Sequence, residues 1–306
     1  SEQFIDVQTA HNSADSITFV ARDTQFEIMD LGREDIEEIG PVTFLKNGAG
    51  IVYTAHTTEF GTGMYSSALT PQTGQPNATL VTANVTLGEK IGILGDDEYL
   101  AWTSRRGDLL VARIFNPEDD GHINQIQDTG ILRNGNTYGI AADENRLAYS
   151  VTESFEPEAA QLLWSETEDG FLTSTNTATT TLGRQPTWDP RQDINRLAWQ
   201  LNGNILFAFI EGFAPSSPDT MKTEGFCQLP AWSPFGDRPV AYVQGPSETQ
   251  AFEVRVQHIF SPHAVSIFPS LFDPRGLAWS PIQRVLAVAH NPGRGQVVLL
   301  FDLPIP

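Results

Sequence analysis

The sequence is poor in the residues that would staple it covalently or draw it to polyanions. It has one cysteine, Cys227, so no intrachain disulfide can form and no Cys-x-x-Cys metal or redox motif exists. Within "GFCQLPAW" that thiol reads as a small buried apolar side chain, not as a nucleophile. Lysine occurs three times (Lys46, Lys90, Lys222), and 18 basic residues face 38 acidic ones, for a net charge of −20. A surface of that sign repels phosphate backbones and anionic lipid, which argues against nucleic acid as a partner. No apolar run approaches the ~18 residues of a membrane helix, so no membrane insertion is expected. The opening "SEQFIDVQTA" lacks the basic-then-apolar layout of a signal peptide, although a start at Ser1 and not Met leaves room for a preceding targeting segment. Sustained i, i+3, i+4, i+7 spacing is missing as well, which excludes long amphipathic helices.

What the chain does have is a repeat. A short apolar run recurs as Ile17-Thr18-Phe19, Ile51-Val52-Tyr53, Leu100-Ala101-Trp102, Leu147-Ala148-Tyr149, Leu197-Ala198-Trp199, Val240-Ala241-Tyr242 and Leu286-Ala287-Val288. The intervals are 34, 49, 47, 50, 43 and 46 residues, and the mean, (286 − 17)/6, is about 45, within the range of propeller repeats. Upstream of six copies lies an apolar or aromatic centre (Phe44, Leu94, Ile140, Trp188, Trp232, Trp279) and then a polar turn such as "DPRQDINR" or "SPFGDR". Downstream comes an alternating run such as "NILFAFI" or "QVVLLFD". Period-two alternation bounded by Gly, Pro, Asn and Asp marks strands. Four short antiparallel strands per unit predict a single-domain, all-β, seven-bladed β-propeller over residues 1–306. The approximate blades are 1–40, 41–89, 90–136, 137–183, 184–227, 228–273 and 274–306. Trp188, Trp232 and Trp279 are expected to fill the wedges between blades, and proline after Ser or Asp to fix the turn that leaves each inner strand. For ring closure, residues from about Gln3 to Gln8 are expected to form the first inner strand. The last blade would then keep three strands or borrow a short outer one from Ser1–Phe4.

"PAWSPFGDRPVAYV", "PTWDPRQDINRLAW" and "LAWSPIQRVLAVAH" resemble the WD40-like repeat of TolB-type propellers, Pro-x-Trp-Ser-Pro-Asp-Gly followed by Ile-Ala-Phe. The match covers residues 185–302 well and is degenerate before them, where Pro and Trp are mostly missing. The resemblance implies the propeller fold and leaves function open. Together with the start at Ser1 and the single cysteine, it implies the cell envelope or exterior of a bacterium, with the cytoplasm as the alternative.

Signatures of chemistry are scarce. There is no Gly-x-Ser-x-Gly elbow, no His-Glu-x-x-His helix and no phosphate-binding glycine loop. The six histidines show no ligand spacing, and no Asp-x-Asp-x-Asp calcium loop occurs, so neither a metal nor a cofactor is expected. The favoured reading is a non-catalytic, monomeric binding or scaffold protein using a loop face and central channel, with another protein or peptide as partner. Loops 57–63, 152–160, 211–225 and 245–250 are its candidate contacts. The 211–225 loop is the first choice, with Phe213 and Met221 as exposed contact residues. His56 and His290 each follow a marker run and are expected at comparable places on one rim. The alternative is a hydrolase or lyase whose carboxylates Asp96, Asp143 and Asp189, in or beside turns leaving inner strands, surround the channel mouth.

Overall fold

A computed structural model describes residues 8–11, 17–20, 25–29, 31, 33–45, 47–69, 78–87, 91–94, 99–104, 109–114, 123–128, 136–143, 146–152, 159–168, 171–176, 182–191, 193–211, 214–247, 252–301 and 303. Among these the chain is all-β, and its strands form six sheets arranged as the blades of a propeller, not seven.

Five blades are each built from one continuous stretch of chain. The first runs Ile36–Phe44, Gly50–Thr57, Gly61–Ala68 and Ala78–Thr82; the second Gly92–Leu94, Tyr99–Thr103, Leu109–Ile114 and Ile123–Asp128. The third runs Asn136–Asp143, Arg146–Thr152, Gln161–Glu168 and Phe171–Asn176. The fourth holds Arg184–Trp188, Arg196–Leu201 and Asn204–Glu211, edged by the short strands Ala214–Pro215 and Asp219–Thr220. The fifth holds Phe226–Trp232, Val240–Gly245, Phe252–Gln257 and His263–Leu271. The sixth sheet is composite: Pro274–Trp279, Leu286–His290 and Gln296–Phe301 come from the end of the chain, and Gln25–Ile28 from its start supplies the outer strand.

The difference from seven arises at the first marker run. Ile17–Val20 is not the second strand of a blade but pairs in parallel with the outer strand of the fifth, in register Ile17↔His263 to Val20↔Ser266. Gln8–His11 then adds antiparallel beyond it. An alternating apolar tetrapeptide satisfies the strand pattern wherever it finds an edge, so pattern alone does not number the blades. Closure therefore also differs from expectation. An N-terminal strand does complete the last blade, but it is Gln25–Ile28; Gln8 pairs at the edge of the fifth blade, and residues 1–7 lie outside the described ones.

The repeated tripeptide explains the ring. Leu197 and Trp199 face the third blade, in a core with Trp164 and Leu162, whereas Ala198 between them faces the fifth, beside Trp232 and Tyr242. Leu147 and Tyr149 likewise point back to Ala101, and Ala148 points forward to Trp164, Trp188 and Trp199. Successive strand residues alternate faces, so each blade offers large side chains to its predecessor and a small one to its successor. The result is six apolar cores, one at every junction, including that between the last blade and the first. Trp188, Trp232 and Trp279 occupy equivalent places, each opposite the first residue of its marker run, and all three are buried. At the closing junction a Cβ on Gly276 would stand 3.0 Å from the Val42 nitrogen, a tight contact that glycine spares these closely packed inner strands.

Candidate functional site

Antiparallel order gives the disc two rims. Inner strands begin at the leading rim, which also carries the turns between second and third strands. Inner strands end at the trailing rim, which carries the inner-to-second turns and the third-to-fourth turns.

On the trailing rim, Asp189 follows Trp188 and is fully buried. Its carboxylate accepts five hydrogen bonds. Arg191 gives its backbone N and Nε to Oδ1, each at 3.1 Å, and Nη2 to Oδ2 at 2.7 Å; Arg196 gives Nε and Nη2 to Oδ2 at 3.2 and 2.6 Å. Arg238 of the next blade brings Nη1 to 3.8 Å from Oδ1. Burial pushes the Asp189 carboxyl up, but the hydrogen bonds from Arg191 and Arg196 outweigh it and hold the pKa below its ordinary value. The cluster extends by stacking. Arg146 of the third blade lies over the Trp188 ring at 4.5 Å, and Arg196 over Trp232 at 4.7 Å and Phe209 at 5.4 Å. One rule serves both junctions: the arginine that opens the second strand covers the inner-strand tryptophan of the following blade.

On the leading rim a polar chain crosses from the sixth blade to the first. Arg275 donates Nη2 to Glu38 Oε1 at 2.7 Å and to Asp273 Oδ2 at 2.9 Å, and Asn291 Nδ2 donates to that same Asp273 oxygen at 2.9 Å. Asn291 also clamps the backbone of Ile39, accepting from its N at 2.8 Å and donating to its O at 3.2 Å. His56 sits opposite Glu38 in the sheet, half-buried, with Nδ1 3.0 Å from Thr62 Oγ1 and Nε2 3.7 Å from Glu37. Two exposed rings stand on this rim: Phe60, with Arg33 5.1 Å from its centre, and Phe272, whose carbonyl accepts from Asn291 N.

His56 and His290 do lie at strand ends on one rim, in the first and last blades, but their settings differ. His290 is buried, makes an edge-to-face contact with Phe268 at 6.2 Å, and has no hydrogen-bond partner on either ring nitrogen. Burial alone pulls its pKa below the ordinary imidazole value.

Asp96 and Phe213 lie outside the described residues, and Asp143 ends an inner strand, its backbone paired with Arg146. Met221 is 1% exposed, packed with Cys227, Trp232, Tyr242 and Ile259 between the fourth and fifth blades, so it is core and not a contact surface. Its Leu-like length and lack of charge suit that wedge, and the 211–225 segment is not a free loop, since Ala214–Pro215 and Asp219–Thr220 both pair with Asn204–Glu211. Asp189 is spoken for by arginines and does not open onto the channel as a free acid. Cys227 is buried as expected, its thiol pushed up to about 11 by desolvation. Among the described residues no group of three or more His, Cys, Asp or Glu converges as a metal site would require. The arginine contacts were not legible from motifs, although every turn that supplies one, "ADENR", "DPRQDINR" and "SPFGDR", ends in Arg.

No known protein family profile matches the chain, and no characterised protein matches it in sequence. Solved structures do. A structure assigned as TolB from Agrobacterium tumefaciens superposes with a TM-score of 0.62 at 15% identity, over 92% of this chain and 99% of that one. A glucose dehydrogenase gives 0.59 at 12% identity, over 90% and 98%. The Swd1 β-propeller domain of Myceliophteria thermophila gives 0.56 at 10% identity, over 87% and 84%. Likeness at such low identity speaks of fold alone, and it agrees with the repeat: the chain is a β-propeller of TolB-like and WD40-like architecture.

Proposed function

We propose that this propeller is a binding module whose partner is another protein or a peptide, engaged at the leading rim where the sixth blade meets the first. The observation that carries this is the pairing of exposed aromatics with a fixed polar network. Phe60 and Phe272 are 56% and 58% exposed, on a rim where Arg275, Asp273, Glu38 and Asn291 hold one another in place. Aromatic and arginine side chains are the groups that carry most interface energy, and pre-ordering them lowers the entropy lost on docking. The turn 57–63 stands on this same rim. A structure named as a nidogen/laminin complex is also among the similar folds, with a TM-score of 0.50, which accords with a role in protein assembly. A place in the bacterial cell envelope or outside the cell goes with the TolB-like architecture.

The test is site-specific photo-crosslinking in the source cells. Benzoyl-phenylalanine at position 60 or 272 is expected to give one discrete heterologous adduct, while the same probe at the outer-strand residue Leu80 gives none. Equal labelling from all three positions, or none from the rim, refutes the proposal.

A further inference from the structure

On the trailing rim Arg238 is ion-paired to Asp189 at 3.8 Å but makes no hydrogen bond through Nη1. An ionised carboxylate offers about four acceptor positions. Asp189 already accepts five hydrogen bonds, all from Arg191 and Arg196. Arg238 is left 3.8 Å away, and its Nη1 is buried without a hydrogen-bond partner. Buried donors are nearly always paired, so an orphan of this kind needs a reason.

The backbone adds a second observation. Arg238 has φ +57°, a left-handed conformation that glycine adopts freely and a long side chain does not. It is fixed there by its N donating to Phe235 O at 3.0 Å and by Trp232 Nε1 donating to its carbonyl at 2.8 Å. The turn thus accepts strain to hold a guanidinium beside a saturated carboxylate. Arg191 and Arg238 each keep 30% of their side-chain surface in solvent above the fully buried Asp189, so these two arginines present an open edge.

We propose that this edge, Arg238 with Arg191, is a binding site for a second carboxylate, presented by an acidic residue of a peptide segment. A planar singly charged anion suits the fork geometry of guanidinium. A polyanion does not suit this place. Asp193 and Asp237 are exposed on the same two turns, and the whole chain carries −20. Apolar groups on this rim of the fourth and fifth blades, Phe209 and Phe260, are 46% and 65% exposed and give the flanking residues of such a segment something to cover. The site lies on the opposite rim from the contact proposed above and stands or falls separately from it.

The test is calorimetric titration of the whole chain with an acetylated, amidated hexapeptide holding one glutamate among apolar residues. Parallel titrations use its glutamine counterpart and inorganic phosphate. The glutamate peptide is expected to bind at least tenfold more tightly than either. Arg238→Gly suits the left-handed turn and is expected to keep the fold while losing tenfold or more in affinity. Arg238→Lys, which keeps the charge but not the fork, is expected to fall between. Equal binding of the two peptides, full binding by Arg238→Gly, or phosphate binding as tightly as the peptide would each overturn the proposal.

Discussion

Replacing Asp189 by Asn keeps the shape of the side chain and removes its charge, leaving Arg191 and Arg196 facing an amide. Adding five charge-assisted hydrogen bonds at about 1.5–3 kcal/mol each would suggest a loss above 7 kcal/mol. That overstates the effect, because Arg191 is 30% exposed and recovers much of its solvation, whereas Arg196, 8% exposed and packed on the Phe209 and Trp232 rings, cannot. The cost is then that of one buried charge stripped of its partner, about 3–5 kcal/mol. At about 2.1 cal/mol/K per residue, 306 residues give an unfolding entropy of roughly 0.6 kcal/mol/K, so the melting temperature should fall by about 5–8 °C. Urea unfolding followed by far-UV circular dichroism measures the loss directly. The pH dependence has a fixed sign. The folded pKa of Asp189 is depressed, so its contribution is complete above the unfolded value near 4 and fades as pH falls through the folded one. The gap between wild type and Asp189→Asn should be flat from about pH 5 to 7 and close in stronger acid. The double replacement Asp189→Leu/Arg196→Leu should be less damaging than the single one, since it removes the orphaned charge. A loss under 1 kcal/mol at pH 7, or a double variant worse than the sum of its parts, would show that the arginines do not depend on Asp189.

Three further outcomes are expected. Trp232→Ala should cost about 3–5 kcal/mol in chemical denaturation, because the ring fills the junction of the fourth and fifth blades and stacks under Arg196; a loss below 1 kcal/mol would refute the blade alignment. Removing residues 1–20 should leave a closed ring, whereas removing residues 1–28 takes away the sixth blade's outer strand and should lower the melting temperature well beyond it; equal melting temperatures would contradict the closure described. His290, whose folded pKa lies below its unfolded value near 6.5, favours the folded state fully above that value and loses this contribution as pH falls beneath it. His290→Phe should therefore flatten the stability profile between about pH 7 and 5, and an unchanged profile would show that the imidazole does not titrate there.

The Leu-Ala-Trp type of tripeptide encodes which side chains face which neighbour, and that information is local, so the blade and its tryptophans were legible. Ile17-Thr18-Phe19 carries the same local signal but ends on a sheet edge some 250 positions away in sequence, and only the short interval of 34 residues before the next copy hinted at it. The site followed the same logic. Asp189 was legible as a turn former, yet its partners are Arg196, at the far end of the same turn, and Arg238, which the ring brings from the next blade. Met221 failed for the converse reason: it sits in a Pro- and Ser-rich stretch that looks like loop but pairs as strand.

The composite sixth blade sets a timetable for synthesis. Gln25–Ile28 leaves the ribosome early, but its partner Gln296–Phe301 comes last, and the strand Ile17–Val20 must likewise wait for His263–Leu271. At about 5–20 residues per second, the roughly 270 residues between the closing strands take about 14–55 s to make. Throughout that interval Gln25–Ile28 has no partner edge, while the contiguous blades can form behind it one by one. Unpaired apolar strands held open so long invite pairing with other chains. The growing chain thus passes through its most aggregation-prone state just before the ring closes, and yield at high expression temperature is governed by that wait and not by the stability of the finished ring.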